Sequence, residues 1–353
     1  MQIQMPGKLC GDAVVIEDQR EGTQLYNKGN FGYPMRGGGL ELDLIEATFL
    51  VECERIQVID GGSPMSFGDI FNYSSAQYEK FDVSYLVYRD MRNRGFVVKA
   101  ESGHFDLSVF PRGSTMSDSR PQYLVRAVSE IDILDLDIFS KEVAHTEIKG
   151  KKLLYGVVDE EGDLTYYHMS AKDPGGSAMH SSSKHAAEGR LIGERVLVFE
   201  ESHIEYLGVK GSYGKMMGSA LQLSLIECCF LMEMGDLKVT SQSGEDMTAG
   251  EMTDLGSRTQ EEFELRLDAF RDLRRRGMIV KTGFKYGAHF RVYSGSPDEE
   301  HAKYLVHSVP RDKVMTWPEI SRTVRLSGGV KKEILFCRAG ERMEYLEFKW
   351  FRP

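Results

Sequence analysis

Cysteine is scarce in this sequence, and the few cysteines form no recognisable set. Five of the 353 residues are cysteine, and no two lie in a C-x-x-C pair; they are Cys10, Cys53, Cys228, Cys229 and Cys337. An odd number of thiols cannot pair completely, and zinc sites use closely spaced cysteines. We therefore expect reduced thiols, no disulfide framework, no metal site and no other cofactor.

Long apolar runs and a surplus of positive charge are also lacking. No run approaches the roughly 20 residues that a membrane-spanning helix needs, and the N-terminal segment lacks the apolar core of a secretory signal. We therefore expect a cytoplasmic protein without a membrane partner. The net charge is −10, which argues against a protein that coats nucleic acid through its overall field. Any contact with nucleic acid must then be local.

What the sequence does contain is a repeat. Three segments of the first half return in the same order in the second half, 181 or 182 residues later. The pairs are Leu42–Leu50 with Leu223–Leu231, Arg89–Lys99 with Arg271–Lys281, and Tyr123–Val125 with Tyr304–Val306. Ordered matches at a nearly constant offset indicate a tandem duplication. Residues 171–188 between the copies, including Ser181–Ser183, are small and polar, and we expect a linker with little order of its own.

Each copy has the pattern of an amphipathic helix followed by strands. In the second copy, Phe263, Leu267 and Phe270 recur at helical spacing, Gly277 can end the helix, and the run Ile279–Val280 is typical of a strand. The first copy repeats this pattern 182 residues earlier.

A second strand is predicted around residues 288–295, and its side chains alternate in character. Phe290 and Val292 fall on one face, whereas His289, Arg291 and Tyr293 fall on the other. We expect the apolar face to pack inward and the polar, titratable face to point outward.

Four ordered motifs of the second copy resemble those of the archaeal tRNA splicing endonucleases, and the resemblance covers nearly the whole chain. The motifs are Arg271-Asp272-Leu273-Arg274-x-Arg276-Gly277, Val280-Lys281-Thr282-Gly283, Phe290-Arg291-Val292-Tyr293 and His301-x-Lys303-Tyr304-Leu305-Val306. The similarity is to the homodimeric type, which has two fused repeats per chain. It implies that Tyr293, His301 and Lys332 are the catalytic residues.

The fold class expected from the repeat and the resemblance is α+β. Each copy should have a small α/β N-terminal subdomain and a restriction-endonuclease-like C-terminal subdomain with a mixed sheet. The expected boundaries are 1–80 and 81–170 in the first copy, a linker at 171–188, and 189–260 and 261–353 in the second copy.

The three residues suit RNA cleavage without a metal ion. The ribose 2′-OH can attack the neighbouring phosphorus, so the enzyme needs a base, an acid for the departing 5′-oxygen and a cation for the developing charge. His301 suits the acid, because histidine titrates near neutrality, and Lys332 the cation. The resemblance implies that Tyr293 is the base. A phenol with a pKa near 10 needs nearby cations for that role, so an orienting role stays open.

The first copy lacks two of the three residues. Phe110 stands opposite Tyr293 and Arg120 opposite His301, whereas Lys151 or Lys152 stands opposite Lys332. A phenyl ring cannot exchange a proton and arginine does not titrate. We therefore expect the first copy to be a scaffold.

An acidic turn distinguishes the first copy. A hairpin is predicted around Gly162, and its turn carries four carboxylates, Asp159, Glu160, Glu161 and Asp163. Such a turn is ordinarily a solvated surface feature. In the resembling family an acidic loop enters a basic pocket of another subunit, which here implies a homodimer in which the first copy of one chain docks beside the catalytic copy of the other.

The expected substrate is a precursor tRNA with a bulge-helix-bulge at the intron–exon junctions, because unstacked bases are what RNA-reading proteins usually bind. The resemblance assigns Arg325 to a stack on an extruded base. Arg352 is our candidate for its partner, with Lys349 in reserve. The alternatives are a non-catalytic RNA-binding or assembly subunit, which would have no reason to keep the three catalytic residues, and a metal-dependent nuclease, which would need a carboxylate cluster.

Overall fold

The computed structural model describes residues 5–101, 103–178, 185–340 and 342–353. These residues form a duplicated α+β fold, as the sequence predicts. Each copy has a six-stranded sheet of its own, and both copies contribute to a shared sheet of ten strands.

The first copy opens with a small sheet and three helices. The elements are β1 (Met5–Cys10), β2 (Ala13–Ile16), α1 (Gln19–Gly29), β3 (Tyr33–Pro34), β4 (Leu40–Asp43), α2 (Leu44–Glu52), β5 (Ile56–Asp60), β6 (Ser63–Pro64) and α3 (Phe67–Gln77). The strand order is β3-β4-β2-β1-β5-β6, with β1 and β5 parallel. Helix α2 is apolar nearly all round and is buried over residues 44–50, so it forms the centre of this subdomain.

The rest of the first copy supplies half of the large sheet. The elements are α4 (Phe81–Asn93), β7 (Val98–Ala100), β8 (Leu107–Val109), β9 (Tyr123–Ser129), β10 (Ile133–Asp135), α5 (Leu136–Ile148), β11 (Lys152–Val158) and β12 (Leu164–Lys172). The predicted helical stripe is present, since Phe81, Tyr85 and Tyr88 are all buried. Gly95 has φ +87°, a conformation that glycine adopts without strain, and it ends the turn after α4.

The second copy begins with the same small subdomain. Its elements are β13 (Ala187–Ile192), β14 (Arg195–Val198), α6 (Glu201–Ile204), a π-helical turn (Glu205–Lys210), β15 (Lys215–Met217), β16 (Ala220–Ser224), α7 (Leu225–Glu233), β17 (Leu237–Thr240), β18 (Asp246–Met247) and α8 (Ala249–Thr259). The strand order β15-β16-β14-β13-β17-β18 repeats that of the first copy.

The C-terminal part of the second copy completes the large sheet. Its elements are α9 (Phe263–Arg275), β19 (Ile279–Thr282), a 3₁₀ turn (Phe284–Tyr286), β20 (Phe290–Tyr293), β21 (Tyr304–Val309), β22 (Val314–Thr316), α10 (Trp317–Gly329), β23 (Glu333–Arg338) and β24 (Glu344–Phe351). None of the described helices is both long and apolar enough to cross a bilayer.

The two copies are joined edge to edge. Strands β12 and β24 pair antiparallel, from Tyr166 opposite Phe351 to Lys172 opposite Tyr345. The resulting order is β19-β20-β21-β23-β24-β12-β11-β9-β8-β7, with the short pair β10-β22 beside it. The joint pairs two long edge strands, which would otherwise expose unpaired backbone groups.

A buried ion-pair network recurs in both copies. Lys99 Nζ donates to Glu46 at 2.7 Å and to the Gly32 carbonyl at 2.9 Å. The side chains of Lys99 and Glu46 are 4% and 0% exposed. In the second copy, Lys281 Nζ lies 4.0 Å from Glu227. The repeat therefore extends from the strand order to individual buried polar groups.

The predicted linker is more ordered than its composition suggests. The N–H groups of residues 176–178 donate to the carbonyls of Arg276, Ser294 and Gly277 at 3.0, 2.9 and 2.9 Å, respectively. Those carbonyls follow the ends of α9 and β20 and need donors, so this part of the linker is held against the second copy. The expected linker residues Ser181–Ser183 lie outside the described residues.

Candidate functional site

The segments that carry Tyr293, His301 and Lys332 lie at the same end of three neighbouring strands of the large sheet. Strand β20 runs antiparallel to β21, with Val292 opposite Tyr304, and β21 runs parallel to β23. The end of β20 therefore lies beside the starts of β21 and β23. Tyr293 is the last residue of β20, and His301 and Lys332 precede the two other strands. Neighbouring strands lie about 4.8 Å apart, and β20, β21 and β23 are consecutive in the sheet, so three distant chain segments end side by side.

Backbone hydrogen bonds hold these three segments together at the strand ends. The Lys303 N–H donates to the Val292 carbonyl at 2.9 Å, and the Glu333 N–H donates to the Lys303 carbonyl at 3.1 Å. These bonds extend the ladder past the formal strand ends. The segments that carry the candidate residues are therefore held in register with the sheet.

Tyr293 is buried, which the alternation of β20 did not predict. The residue is 6% exposed and packs with Ile279 and Ala302, against which the linker residue Ala178 also lies. The expectation that the polar face of this strand points outward is wrong for Tyr293, because the linker and the segment before β21 cover that end of the strand. The guanidinium carbon of Arg291 lies 5.9 Å from the centre of its ring.

Helix α10 positions Lys332. The helix begins with a capping box, in which Thr316 and Glu319 bond reciprocally. After its end, Lys331 adopts φ +54°, and the Lys332 N–H donates to the Ser327 carbonyl at 3.0 Å. The Lys332 side chain is half-buried. The backbone of Lys332 is thus tied to the helix that precedes it and to the strand that follows it.

Two other histidines, His289 and His307, lie close together on the same sheet. The ring centres of His289 and His307 are 5.5 Å apart, and the Ser308 N–H donates to His289 Nδ1 at 3.0 Å. Burial lowers the pKa of His289 and of His307 to about 4. Both rings are therefore neutral at pH 7 and cannot act as imidazolium general acids. His301 is solvent-exposed.

The residues expected to bind RNA lie next to Lys332. Arg325, Lys332 and Lys349 line one cavity of about 400 Å³, together with Trp350. Arg352 does not line it, but its guanidinium stacks on the Trp350 ring at 4.3 Å. The exposed Trp350 was not singled out from the sequence; an aromatic residue within a basic C-terminal tail was the available signal.

The first copy preserves the arrangement but not the chemistry. Val109 lies opposite Tyr123, which places Phe110 at the position of Tyr293. The Lys151 N–H donates to the Thr146 carbonyl at 2.9 Å, the counterpart of the bond made by Lys332, so Lys151 and not Lys152 is the equivalent lysine. Arg120 precedes Tyr123 by three residues, as His301 precedes Tyr304.

The acidic turn is a tight hairpin between β11 and β12. Asp159 shapes it, because its Oδ1 accepts from the N–H groups of Glu161 at 3.0 Å and Asp163 at 2.8 Å. Gly162 has φ +84°. Glu160, Glu161 and Asp163 are solvent-exposed. The turn therefore presents three carboxylates to solvent while the fourth holds its shape.

A basic pocket in the second copy escaped sequence analysis. We call it the acceptor pocket; it has a volume of about 520 Å³. The basic side chains that line it are Lys215, Arg266, Lys281, His289 and Arg291. These residues come from four separate elements, so no local motif marks them. The available signal was an alignment of the two copies, which places non-basic residues opposite four of the five.

Two arginines of the acceptor pocket each have one side-chain nitrogen without a partner. The Nε atoms of Arg266 and Arg291 are buried and have no hydrogen-bond partner among the described residues. Burial also lowers the pKa of Arg266 and of Lys281. Among the described residues that line the pocket, Glu227 is the one carboxylate, and it lies near Lys281. Buried polar groups usually have partners, so the pocket is suited to an anionic occupant.

Sequence comparisons relate both copies to the same two domains. Residues 81–166 and 263–345 match the family described as "tRNA intron endonuclease, catalytic C-terminal domain". Residues 5–71 and 187–253 match "tRNA intron endonuclease, N-terminal domain". Each match occurs twice, once in each copy.

Curated relatives are similar over nearly their full length, and each is named tRNA-splicing endonuclease. The protein of Methanococcoides burtonii is 35% identical, over 94% of this chain and 95% of that protein. The protein of Methanosarcina mazei is 33% identical, over 96% and 97%. The protein of Halobacterium salinarum is 33% identical, over 94% of each.

Proposed function

The chain belongs to the tRNA intron endonuclease family, and from that premise we propose that it cuts precursor tRNA at the intron–exon junctions of a bulge-helix-bulge, without a metal ion. The chain is an endoribonuclease of the tRNA-splicing type. The proposed mechanism is supported by the strand pairing, which brings the segments that carry Tyr293, His301 and Lys332 to the same end of the sheet, and by the absence of two of these residues from the first copy.

In the proposed reaction the RNA supplies its own nucleophile. Tyr293 accepts the proton of the ribose 2′-OH, whose oxygen forms a bond to the adjacent phosphorus. Lys332 stabilises the added negative charge on the phosphoryl oxygens. His301 gives a proton to the 5′-oxygen as its bond to phosphorus breaks. The products are a 2′,3′-cyclic phosphate and a 5′-hydroxyl end.

Substrate binding is proposed for the cavity beside Lys332. Arg325 and Lys349 share that cavity with the lysine, and Arg352 lies over Trp350 at its border. Planar guanidinium groups stack well on unpaired bases. A base extruded from the bulge would then be held next to the phosphate that is cut.

The direct test of the proposed function is to identify the ends that the reaction leaves. The purified chain is incubated with an intron-containing precursor tRNA with a bulge-helix-bulge and, in parallel, with the same RNA with both bulges closed by pairing. We expect fragments from the first RNA only, with 5′ ends that a kinase labels without prior dephosphorylation. Fragments with 5′-phosphate ends would contradict the transesterification, and equal cleavage of the closed RNA would contradict recognition of the bulges.

We further propose a homodimer in which the acidic hairpin of each chain enters the acceptor pocket of the other. Charge complementarity supports this pairing: the hairpin exposes Glu160, Glu161 and Asp163, and the pocket holds two guanidinium groups with unpartnered Nε atoms. Each docked hairpin would lie beside the strand that carries Tyr293. The domain boundaries at 80, 170, 188 and 260 remain part of the proposal.

The charge of the acidic hairpin can be removed without disturbing the fold of its turn. Glu160→Gln/Glu161→Gln/Asp163→Asn removes three charges but keeps Asp159, which shapes the turn. Close charge pairs across interfaces are coupled by about 1.5 kcal/mol or more, so the loss of two pairs at each of the two docked hairpins, about 6 kcal/mol in all, should weaken the dimer roughly 10⁴-fold. Dissociation is measured by light scattering against protein concentration, and cleavage is expected to fall in parallel.

A matched variant controls for net charge. Glu54→Gln/Glu194→Gln/Asp246→Asn also removes three exposed carboxylates, all distant from the hairpin turn in the sequence, and should leave the dimer intact. An unaltered, active dimer in the hairpin variant would reject docking through this turn.

A further inference from the structure

The first copy has a pocket at the position of the acceptor pocket, and we call it the repeat-1 pocket. Its volume is about 460 Å³, close to that of the acceptor pocket. The same buried framework supports both, because Lys99 and Lys281 occupy equivalent positions and each donates to a backbone carbonyl behind the pocket. The size and framework of the two pockets are therefore too similar to make a docking hairpin select one of them.

Three of the four cations that line the acceptor pocket, and the neutral His289, are replaced in the repeat-1 pocket. The offset of 182 or 183 residues pairs Lys215 with Tyr33, Arg266 with Ser84, His289 with Asp106 and Arg291 with Ser108. The replacements remove three cations and add one carboxylate. The strand pairing supports the last two equivalences, since β8 and β20 have the same place and register in the sheet.

The repeat-1 pocket also gains carboxylates where the acceptor pocket has neutral residues. Asp43 stands at the position of Ser224, and Glu101 at the position of Gly283. No lysine, arginine or histidine is among the described residues that line the pocket. Burial, followed by the negative charges of Asp43, Glu46 and Glu101, raises the pKa of Tyr33 to about 12.

Two cations stand behind this pocket, and both are already engaged: Lys99 with Glu46 and the Gly32 carbonyl, and Arg126 with two carboxylates. Arg126 lies 3.5 Å from Asp106 and 3.4 Å from the buried Glu142. It therefore offsets part of the charge of Asp106, and its Nε, which has no hydrogen-bond partner among the described residues, already faces the Glu142 carboxylate. Asp43 and Glu101 have no ion pair of their own among the described residues, so the wall they form stays negative.

We propose that the repeat-1 pocket is a rejecting surface, whose carboxylates keep the acidic hairpin of a partner chain out of the first copy. This inference rests on the proposed docking of the hairpin in the acceptor pocket. Wrong partners are commonly excluded by placing like charges together. Without the rejection, two first copies could dock on each other, and their hairpins would then not occupy the acceptor pockets of the catalytic copies. With it, two chains close into one reciprocal dimer.

Engineered disulfide bonds report which pocket a hairpin enters. In a chain with Cys10→Ser and Cys53→Ser, which removes the exposed thiols, Glu161→Cys marks the hairpin. A second cysteine marks either the acceptor pocket, as Lys215→Cys, or the repeat-1 pocket, as Tyr33→Cys. Both pocket positions are exposed and equivalent. Covalent dimer is measured over time on non-reducing gels, with Glu161→Cys alone as the background.

We expect the Lys215→Cys chain to form covalent dimer at least ten times faster than the Tyr33→Cys chain. The repeat-1 pocket is then given the residues of the second copy, as Asp43→Ser/Ser84→Arg/Glu101→Gly/Asp106→His. This exchange should raise cross-linking of the Tyr33→Cys chain at least tenfold. The milder Asp43→Asn/Glu101→Gln should raise it by a smaller factor, and it provides a second reading if the fourfold exchange does not fold.

The outcomes separate this inference from the docking that it assumes. Equal cross-linking of the two pockets in the unexchanged chains would overturn the rejection, and so would exchanged chains that melt normally yet gain no cross-linking through Tyr33→Cys. A monomeric parent chain in which neither pocket cross-links would overturn the docking itself, and the rejection with it.

Discussion

The buried pair of Lys99 and Glu46 offers a prediction whose magnitude follows from the structure. Glu46 is fully buried, and it accepts hydrogen bonds from Lys99 Nζ at 2.7 Å and from the Gly32 N–H at 3.0 Å. Lys99→Met removes the one counter-charge that Glu46 has among the described residues and leaves the Gly32 N–H as its donor. Breaking a buried ion pair from one side costs about 3–5 kcal/mol, and we expect a loss of that size in the free energy of unfolding.

The second copy supplies the matched control. Glu227 accepts from the N–H groups of Gly214 at 2.8 Å and Ser224 at 2.9 Å, and from the Ser224 hydroxyl at 2.8 Å. Lys281 is 4.0 Å away, so its removal leaves three donors in place. Loss of its own bond to the Gly214 carbonyl and of the weaker attraction should cost about 1–2 kcal/mol in Lys281→Met.

The pH dependence gives the prediction a sign. Burial raises the pKa of Glu46, and the charge of Lys99 is the main influence that lowers it. In Lys99→Met the folded-state pKa therefore lies further above the unfolded value of about 4.3. Stability from such a group is complete below the unfolded pKa and is lost as the pH rises through the folded one. The deficit of Lys99→Met should thus be larger at pH 7 than at pH 4.

Urea denaturation followed by circular dichroism measures both variants at the two pH values. The two copies share one sheet, and a multidomain chain can depart from two-state unfolding, so each resolved transition is fitted by itself. Lys281→Met losing as much stability as Lys99→Met, or a deficit of Lys99→Met that grows toward pH 4, would refute this reasoning.

Two further predictions concern RNA and acid. Arg325→Ala should weaken binding of the precursor tRNA about 5- to 150-fold, because stacking is worth about 1–3 kcal/mol per base. Binding is measured in a filter-binding assay, with Arg322→Ala on the same helix as the control. Equal losses of affinity in the two variants would contradict a specific role of Arg325. Burial lowers the pKa of His289 and of His307 to about 4, below about 6.5 in the unfolded chain. Stability is then complete above pH 6.5 and falls as the pH drops toward 4, so His307→Gln should flatten that slope in thermal melts; an unchanged slope would contradict the assignment.

Local features of the fold could be predicted from the sequence. The stripe of α9 and the turn around Gly162 depend on spacing and turn chemistry within one segment, and both are found in the structure. The duplication was visible as a constant offset, which needs no structure. Such features are predictable because neighbouring residues alone determine them.

Long-range features could not be predicted in the same way. No local pattern says that β12 pairs with β24, because the choice of an edge partner depends on how two whole subdomains meet. The burial of Tyr293 was missed since its cover comes from the linker, which polar composition predicted to be free. The acceptor pocket was missed because Arg266 and Arg291 each look like ordinary surface residues in their own element.

The candidate catalytic residues are an intermediate case. Alone, Tyr293 would be taken as packing, His301 as a solvated loop residue and Lys332 as surface charge. The resemblance selected them, and the sheet register gives a physical reason why they meet. Their roles in the reaction stay predictions until they are measured.

The most direct test of the central claim is single-turnover cleavage of a precursor tRNA in excess EDTA. Wild type, His301→Ala and the first-copy control Arg120→Ala are compared. General acid catalysis contributes about 10²- to 10⁴-fold, so His301→Ala should lose a factor in that range, while wild type and Arg120→Ala cleave at equal rates despite the chelator. Full activity of His301→Ala, or loss of wild-type cleavage in EDTA, would contradict a metal-independent site in the second copy.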